Sequence, residues 1–126
     1  MNYQAIKQRV LDLDFVADEE AADSMIKAVL GTLASRMKTE QAHRFSNDLP
    51  EPLSYEKLRG HQTNVTNISL EQFVSGICTQ FKLTTEQAQS LIRSVLHFAK
   101  DGIPHEEIEV WEQGLPTEWA KVVENS

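Results

Sequence analysis

A repeat with an offset of 66 residues runs through most of the chain and restricts its fold more than any other feature. When residues 15–50 are aligned with residues 81–116, ten of the 36 positions are identical. The Leu-Pro pairs at 49–50 and 115–116 stay in register with the rest. Most of the identical positions are inward-facing or turn positions of the predicted helices. The repeat therefore predicts two copies of one structural unit, packed face to face.

The spacing of apolar residues predicts helices in both copies. It is clearest over 18–37, where apolar residues recur at three- and four-residue intervals from Ala22 onward. On a helical wheel these residues fill one arc, whereas Lys27, Gly31 and Ser35 lie opposite. We therefore expect one buried face and one solvent-facing side for this helix.

Capping residues and helix-breaking residues predict where the remaining helices begin and end. The other predicted segments are 2–13, a short helix capped by Thr39, Leu53–Leu58, a helix capped by Ser69, a helix that Thr84 opens, and two short helices around Trp111 and Trp119. The polar stretch 61–67 has no periodicity and is the predicted linker. The predicted fold is all-α: a compact globule of about eight helices, formed by two pseudo-symmetric four-helix repeats. Residues 1–126 would form a single domain, with units at about 1–60 and 68–126.

The charge and the single cysteine restrict the function classes. The net charge is −7 and no cluster of Lys and Arg is present, which argues against binding to nucleic acid. Cys78, as the only cysteine, has no internal disulfide partner, which suits a reducing compartment. The N-terminal residues lack an apolar signal-peptide stretch, and nowhere do about 18 apolar residues run together. We expect a cytoplasmic protein that does not enter membranes.

One block of the first unit resembles a known family. It comprises Ala22, Ile26, Val29-Leu30, Thr32-Leu33-Ala34 and Arg36, followed by Glu40-Gln41-Ala42 and Asp48-Leu49-Pro50. In this spacing it is similar to the bacterial domain-of-unknown-function family 2267. The stretch from Val95-Leu96 through Glu106 to Leu115-Pro116 resembles the weaker second block of that family. The resemblance covers nearly the whole chain and implies an all-α fold with internal two-fold pseudo-symmetry. It implies no enzyme activity, cofactor or catalytic residue.

Few residues carry a pattern typical of catalysis or metal binding. Glu40 and His43 have the Glu-x-x-His spacing of di-iron bundles, but the second unit has Glu109 where a second His would be needed. Both are predicted to lie on the polar side of their helix, so we expect no metal site. Cys78 lies in mid-helix and is expected to be semi-buried and structural. Trp111 and Trp119 are expected in the core, although an aromatic recognition patch is the alternative.

The two units differ most in their surface charge. Residues 1–62 contain 8 basic and 10 acidic residues, whereas residues 63–126 contain 4 basic and 9 acidic residues. In the second unit, Glu106 and Glu109 are predicted to share the polar face of a short helix with Val110. The position equivalent to Val110 in the first unit is Arg44. This acidic face is either solvated surface or a docking face for a partner with a basic surface.

Three hypotheses about function follow from the sequence. The first is a helical protein-interaction or regulatory module without catalysis, because the chain offers a packed scaffold with different surfaces. The alternative is a small-ligand-binding protein that uses the crevice between the two repeats, where Phe98 adds an apolar edge. An enzyme is the third hypothesis. No cofactor is predicted, and the pattern does not predict an oligomeric state.

Overall fold

The computed structural model describes residues 2–50, residue 53 and residues 68–126. Within these residues the chain forms seven α-helices and no strand. The helices are α1 (Tyr3–Leu11), α2 (Glu19–Arg36), α3 (Thr39–Asp48), α4 (Leu70–Phe81), α5 (Thr85–Lys100), α6 (His105–Gln113) and α7 (Thr117–Asn125). The predicted helix Leu53–Leu58 and the predicted linker 61–67 lie outside the described residues, apart from Leu53, which is fully buried.

Side-chain caps fix where several helices begin. The hydroxyl of Ser69 accepts a hydrogen bond from the Gln72 amide, and the Gln72 side chain accepts one from the Ser69 amide. Thr84 and Gln87 form the same capping box at the start of α5. The predicted caps of α4 and α5 are therefore confirmed. The predicted Thr39 cap is wrong, because Thr39 is the first helical residue of α3 and the capping position is Lys38.

Helix α2 runs through the middle of the molecule. It packs against α1, α3, α4 and α5, and every residue from Ala28 to Ser35 is buried. The prediction of a solvent-facing side is therefore wrong for Gly31 and Ser35, since helices from both halves of the chain surround this part of α2. The hydroxyl of Ser35 is satisfied there by donating to the Thr32 carbonyl oxygen over 2.7 Å.

Helix α5 contacts α1, α2, α4 and α7, but it keeps an exposed polar side that includes Arg93 and His97. One continuous apolar core joins buried residues from all seven helices. Outside the crossing of α2 and α5, helices α3 and α6 lie side by side. They run antiparallel, because Lys38 at the start of α3 bonds to Gly114 just after the end of α6. This pair connects the two halves of the chain at the surface.

Candidate interaction surfaces

The acidic face predicted from the sequence lies on α6. Glu106 and Glu109 are exposed, and Val110 is half-buried. Their i, i+3 and i+4 spacing places the three residues on one side of the helix. Val110 does not pack against the buried core of the described residues. The imidazole Nε2 of His105 lies 3.0 Å from the Glu109 Oε1 atom. Glu106 and Glu109 are thus accessible on this side of α6, and Val110 is accessible in part.

An ion pair joins α6 to α3 beside this face. The guanidinium of Arg44 donates from Nε to Glu107 Oε1 over 3.0 Å and from Nη2 to Oε2 over 2.6 Å. The bidentate geometry is the most directional that Arg and a carboxylate can form. From the sequence, Arg44 and the acidic residues were expected on the outer faces of different units. The structure instead brings Arg44 and Glu107 together, in a direct contact between α3 and α6.

Beneath this ion pair, Trp111 anchors the contact between α3 and α6. Only 1% of Trp111 is exposed, and its ring meets that of Phe45 edge-on, with centroids 4.8 Å apart. Its indole Nε1 donates to the Asp48 Oδ2 atom over 2.8 Å. Trp119 is also buried and stacks on Phe73, with centroids 5.0 Å apart. Both tryptophans therefore belong to the core, as the sequence predicted.

The carboxyl group of Asp48 has a raised pKa in this setting. Burial is the main cause, and the neighbouring carboxylate of Glu107 adds to it because two like charges resist ionising together. The hydrogen bond from Trp111 and the charge of Arg44 act in the opposite direction. The contact between α3 and α6 thus contains a carboxyl group whose ionised form is disfavoured.

The raised pKa predicts a pH-dependent effect of Asp48→Asn. The folded protein binds this proton more tightly than the unfolded chain, so the stability from this group is present at acid pH and is lost as the pH rises through the raised pKa. The amide oxygen of Asn can still accept from Trp111. We expect the stability of the variant relative to the parent to increase as the pH rises above about 4, the ordinary pKa of an Asp carboxyl, and to stop increasing once the pH has passed the raised pKa. Urea unfolding across this range, with exposed Asp14→Asn as the control, measures the effect. A pH-independent difference would contradict the prediction.

An open groove lies between α4, α5 and α7, with a volume of about 1300 Å³. Its apolar lining includes Leu70, Val74 and Cys78 on α4, together with Ile92 and Val122. All the residues that line it belong to the second half of the chain, so this groove is not the predicted crevice between the repeats. The sequence did not predict this groove. The signal was present, because the i, i+4 and i+8 spacing of Leu70, Val74 and Cys78 forms a second apolar stripe beside Phe73 and Ile77.

Glu40 and His43 line neither the α6 face nor the groove. Glu40 and His43 are exposed on α3, and Cys78 is half-buried as expected. Across residues 2–50, 53 and 68–126, no three His, Cys, Asp or Glu side chains are grouped so that they could hold a metal ion. The apolar edge expected at Phe98 is covered on one side, since the guanidinium of Arg9 lies 5.5 Å from the ring centroid.

These observations define a compact helical protein whose candidate sites are surfaces and a groove. A family model described as an uncharacterized conserved protein (DUF2267) matches residues 3–122. The chain therefore belongs to this family, as the resemblance of its first block suggested. Comparison with curated proteins gives no match, and comparison with solved structures gives none either. In the part of the chain that the structure describes, no helix is long and apolar enough to span a membrane.

Proposed function

We propose that the protein is a non-catalytic helical interaction module that binds a protein partner with a basic surface. The observation that carries the proposal is the α6 face, where half-buried Val110 lies beside exposed Glu106 and Glu109 without packing on the core. An apolar group next to charges is a common composition at modest interfaces. In such an interface the apolar group provides affinity, and the charges provide orientation and a faster association rate.

The setting of α6 supports this role. The ion pair between Arg44 and Glu107 and the buried ring of Trp111 fix the helix against α3. A rigid surface loses little conformational entropy when a partner binds. The first-turn acids Glu106 and Glu107 also lie near the positive end of the helix dipole, where negative side chains stabilise a helix. The α6 face is thus preorganised for a basic partner.

Val110→Arg tests the proposal. A cation in the middle of the acidic face should abolish capture of the partner by repulsion, while the melting temperature changes little because Val110 lies outside the core. Pull-down from native lysate, read by mass spectrometry, compares the variant with the parent protein. Gln80→Arg adds the same charge at an exposed position of α4 and should leave capture intact. An unfolded variant would mean that Val110 is a core residue, and retained capture would place docking elsewhere.

We further infer that the chain is a single domain of two diverged repeats and that it functions in the cytoplasm. The starts of α2 and α5 are 66 residues apart, as are the starts of α3 and α6. The packing of the first helix of each half is reciprocal, because α1 contacts α2 and α5 while α4 contacts α5 and α2. Both observations support a duplicated unit. The lone Cys78 supports a reducing compartment.

A further inference from the structure

The groove in the second half of the chain has enough volume to hold a short helix. Helix α5 touches both α4 and α7, so it forms the floor and the other two helices form the walls. Helix α4 has 12 residues, which corresponds to a length of about 18 Å. A helix about 10 Å wide and 17 Å long occupies roughly 1300 Å³, which is close to the volume of the groove. Packing a helix into such a trench is the ordinary way in which helices associate.

The rim of the groove carries charges of both signs. Glu71 on α4, Arg93 on α5, and Glu118 and Lys121 on α7 all line the groove and are exposed. None of the four forms an ion pair with another residue in the described ranges. The rim therefore has two positive charges, two negative charges and no net charge.

The edge between α1 and α2 shows how such charges are satisfied elsewhere in the molecule. There the Asp23 carboxylate accepts a hydrogen bond from the Tyr3 hydroxyl and pairs with Lys27 Nζ over 3.0 Å. Burial raises the pKa of Asp23, but these contacts outweigh it and leave the pKa lowered. Helix α5 has Gln89 and Arg93 at the positions that match Asp23 and Lys27 at the 66-residue offset, and both residues line the groove.

We propose that the groove is occupied by a second copy of this chain, in a two-fold dimer. In it, a wall helix of each copy lies in the groove of the other. A two-fold interface brings the same patch of both copies together, so the patch must be complementary to itself. The groove meets this condition because all three of its helices contribute apolar residues to its lining and its rim has equal numbers of both charges. A partner of one charge sign would meet as many like charges as opposite ones.

The charge of the whole chain favours this face over others for self-association. At a net charge of −7, two copies repel each other over most orientations. The acidic face of Glu106 and Glu109 would add to that repulsion if it met its own copy. The groove brings the copies together through a patch without net charge. The dimer does not depend on the partner proposed for α6, since none of its residues lies on that face.

Two charge variants test the dimer without disturbing the core. Arg93→Glu with Lys121→Glu makes the rim entirely negative, and Glu71→Lys with Glu118→Lys makes it entirely positive. Each variant alone should associate at least about tenfold more weakly than the parent, for which we expect a dissociation constant on the order of 10 µM. Mixing the two variants should restore a dimer, because opposite rims then face each other. Sedimentation velocity gives the association constants, and circular dichroism confirms that each variant is folded.

A matched control keeps the charge change but leaves the rim intact. Lys38→Glu with Lys82→Glu has the same net charge as the negative variant, and both positions are exposed outside the groove. This variant should dimerise within about threefold of the parent. Cys78, the only cysteine, lines the groove and reports on its occupation. Its reaction with a maleimide should slow as the parent protein is concentrated, and the negative variant should show no such slowing.

Several outcomes would overturn the proposal. One is a parent protein that stays monomeric up to about 1 mM, a hundredfold above the expected constant, which would leave the groove for a foreign helix or a small ligand. Dimers that both rim variants form as readily as the parent would place self-association on another face. The same conclusion follows if the two variants fail to combine with each other, or if dimerisation leaves Cys78 fully reactive.

Discussion

Trp111→Ala should lower the free energy of unfolding by about 3–5 kcal/mol, the range for removing a large buried aromatic side chain. Trp111 is 1% exposed and fills the space between α3 and α6. The substitution removes its edge-on contact with Phe45 and leaves the Asp48 carboxylate without its indole donor. Because a domain of this size is stable by about 5–15 kcal/mol, the loss is large enough to bring the variant close to unfolding at 37 °C. Urea denaturation measures it.

A second substitution separates packing from hydrogen bonding at this position. Trp111→Phe keeps an aromatic ring next to Phe45 but removes the donor to Asp48, so we expect a loss of about 1–3 kcal/mol. Trp119→Phe is the matched control. Trp119 is equally buried, and its indole makes no hydrogen bond within the described part of the chain. If Trp111→Phe lowers the free energy of unfolding no more than Trp119→Phe does, the hydrogen bond to Asp48 contributes nothing to stability.

Gly114→Ala should destabilise the protein by about 1–3 kcal/mol through overpacking. A Cβ atom at this position would lie 2.5 Å from the Cβ atom of Gln41 and 2.7 Å from its Cγ atom. The backbone of Gly114, with φ −84° and ψ −3°, is accessible to alanine, so the cost is purely steric. The carbonyl of Gly114 also accepts a hydrogen bond from the Lys38 amide over 3.0 Å, and backbone displacement would strain this bond. Thermal and urea unfolding measure the change.

Two further variants show whether the clash with Gln41 is the cause. Gly76 lies exposed in the middle of α4, and a Cβ atom there would meet nothing within 4 Å. Gly76→Ala should therefore stabilise the protein by about 0.5–1 kcal/mol. The double variant Gln41→Gly with Gly114→Ala should lose less free energy of unfolding than the sum of the losses in the two single variants. Strict additivity would show that the effect of Gly114→Ala arises elsewhere.

Local signals were sufficient to predict where most helices lie. Ser69 and Thr84 can cap helices because a side-chain oxygen reaches an amide three residues further on, and this interaction needs no tertiary structure. The bounds of α2, Glu19–Arg36, agree closely with the predicted segment 18–37 for a similar reason. The buried positions Ala42 and Phe45 on α3 also follow from spacing alone. Each of these features depends on residues within about one helical turn.

Long-range packing accounts for what the sequence did not predict. A helical wheel shows how apolar residues are arranged but not how many neighbours surround a helix. Gly31 and Ser35 lie opposite the apolar arc of the wheel, which predicted a solvent-facing side. Because both residues are small, neighbouring helices can approach them closely and bury them. The ion pair between Arg44 and Glu107 joins residues 63 positions apart, which no periodicity indicates. The wrong prediction of Thr39 as the capping residue has the same origin, because the capping position falls on Lys38, whose amide bonds to the distant Gly114.

The two candidate surfaces differ in the same way, since one depends on local spacing and the other on long-range packing. Glu106, Glu109 and Val110 could be placed on one face because they belong to one helix. The groove could not be predicted, because it depends on how three helices are arranged in space and on the absence of another helix between them. From the sequence, Leu70 and Val74 resemble ordinary core positions. Only the arrangement of α4 and α7 shows that they line an open groove. Only the apolar stripe was visible in the sequence.

The burial of α2 from Ala28 to Ser35 has a consequence for how the molecule opens. Amide hydrogens between Ala28 and Ser35 can meet solvent only when helices from both halves move away together, so we expect them to be among the last to exchange in deuterated water. An isolated first half would expose the side of α2 that α4 and α5 cover. Expressing either half alone should therefore give an aggregating chain. If one unit was duplicated in the past, the ancestral unit would have needed a second molecule of itself to cover this helix.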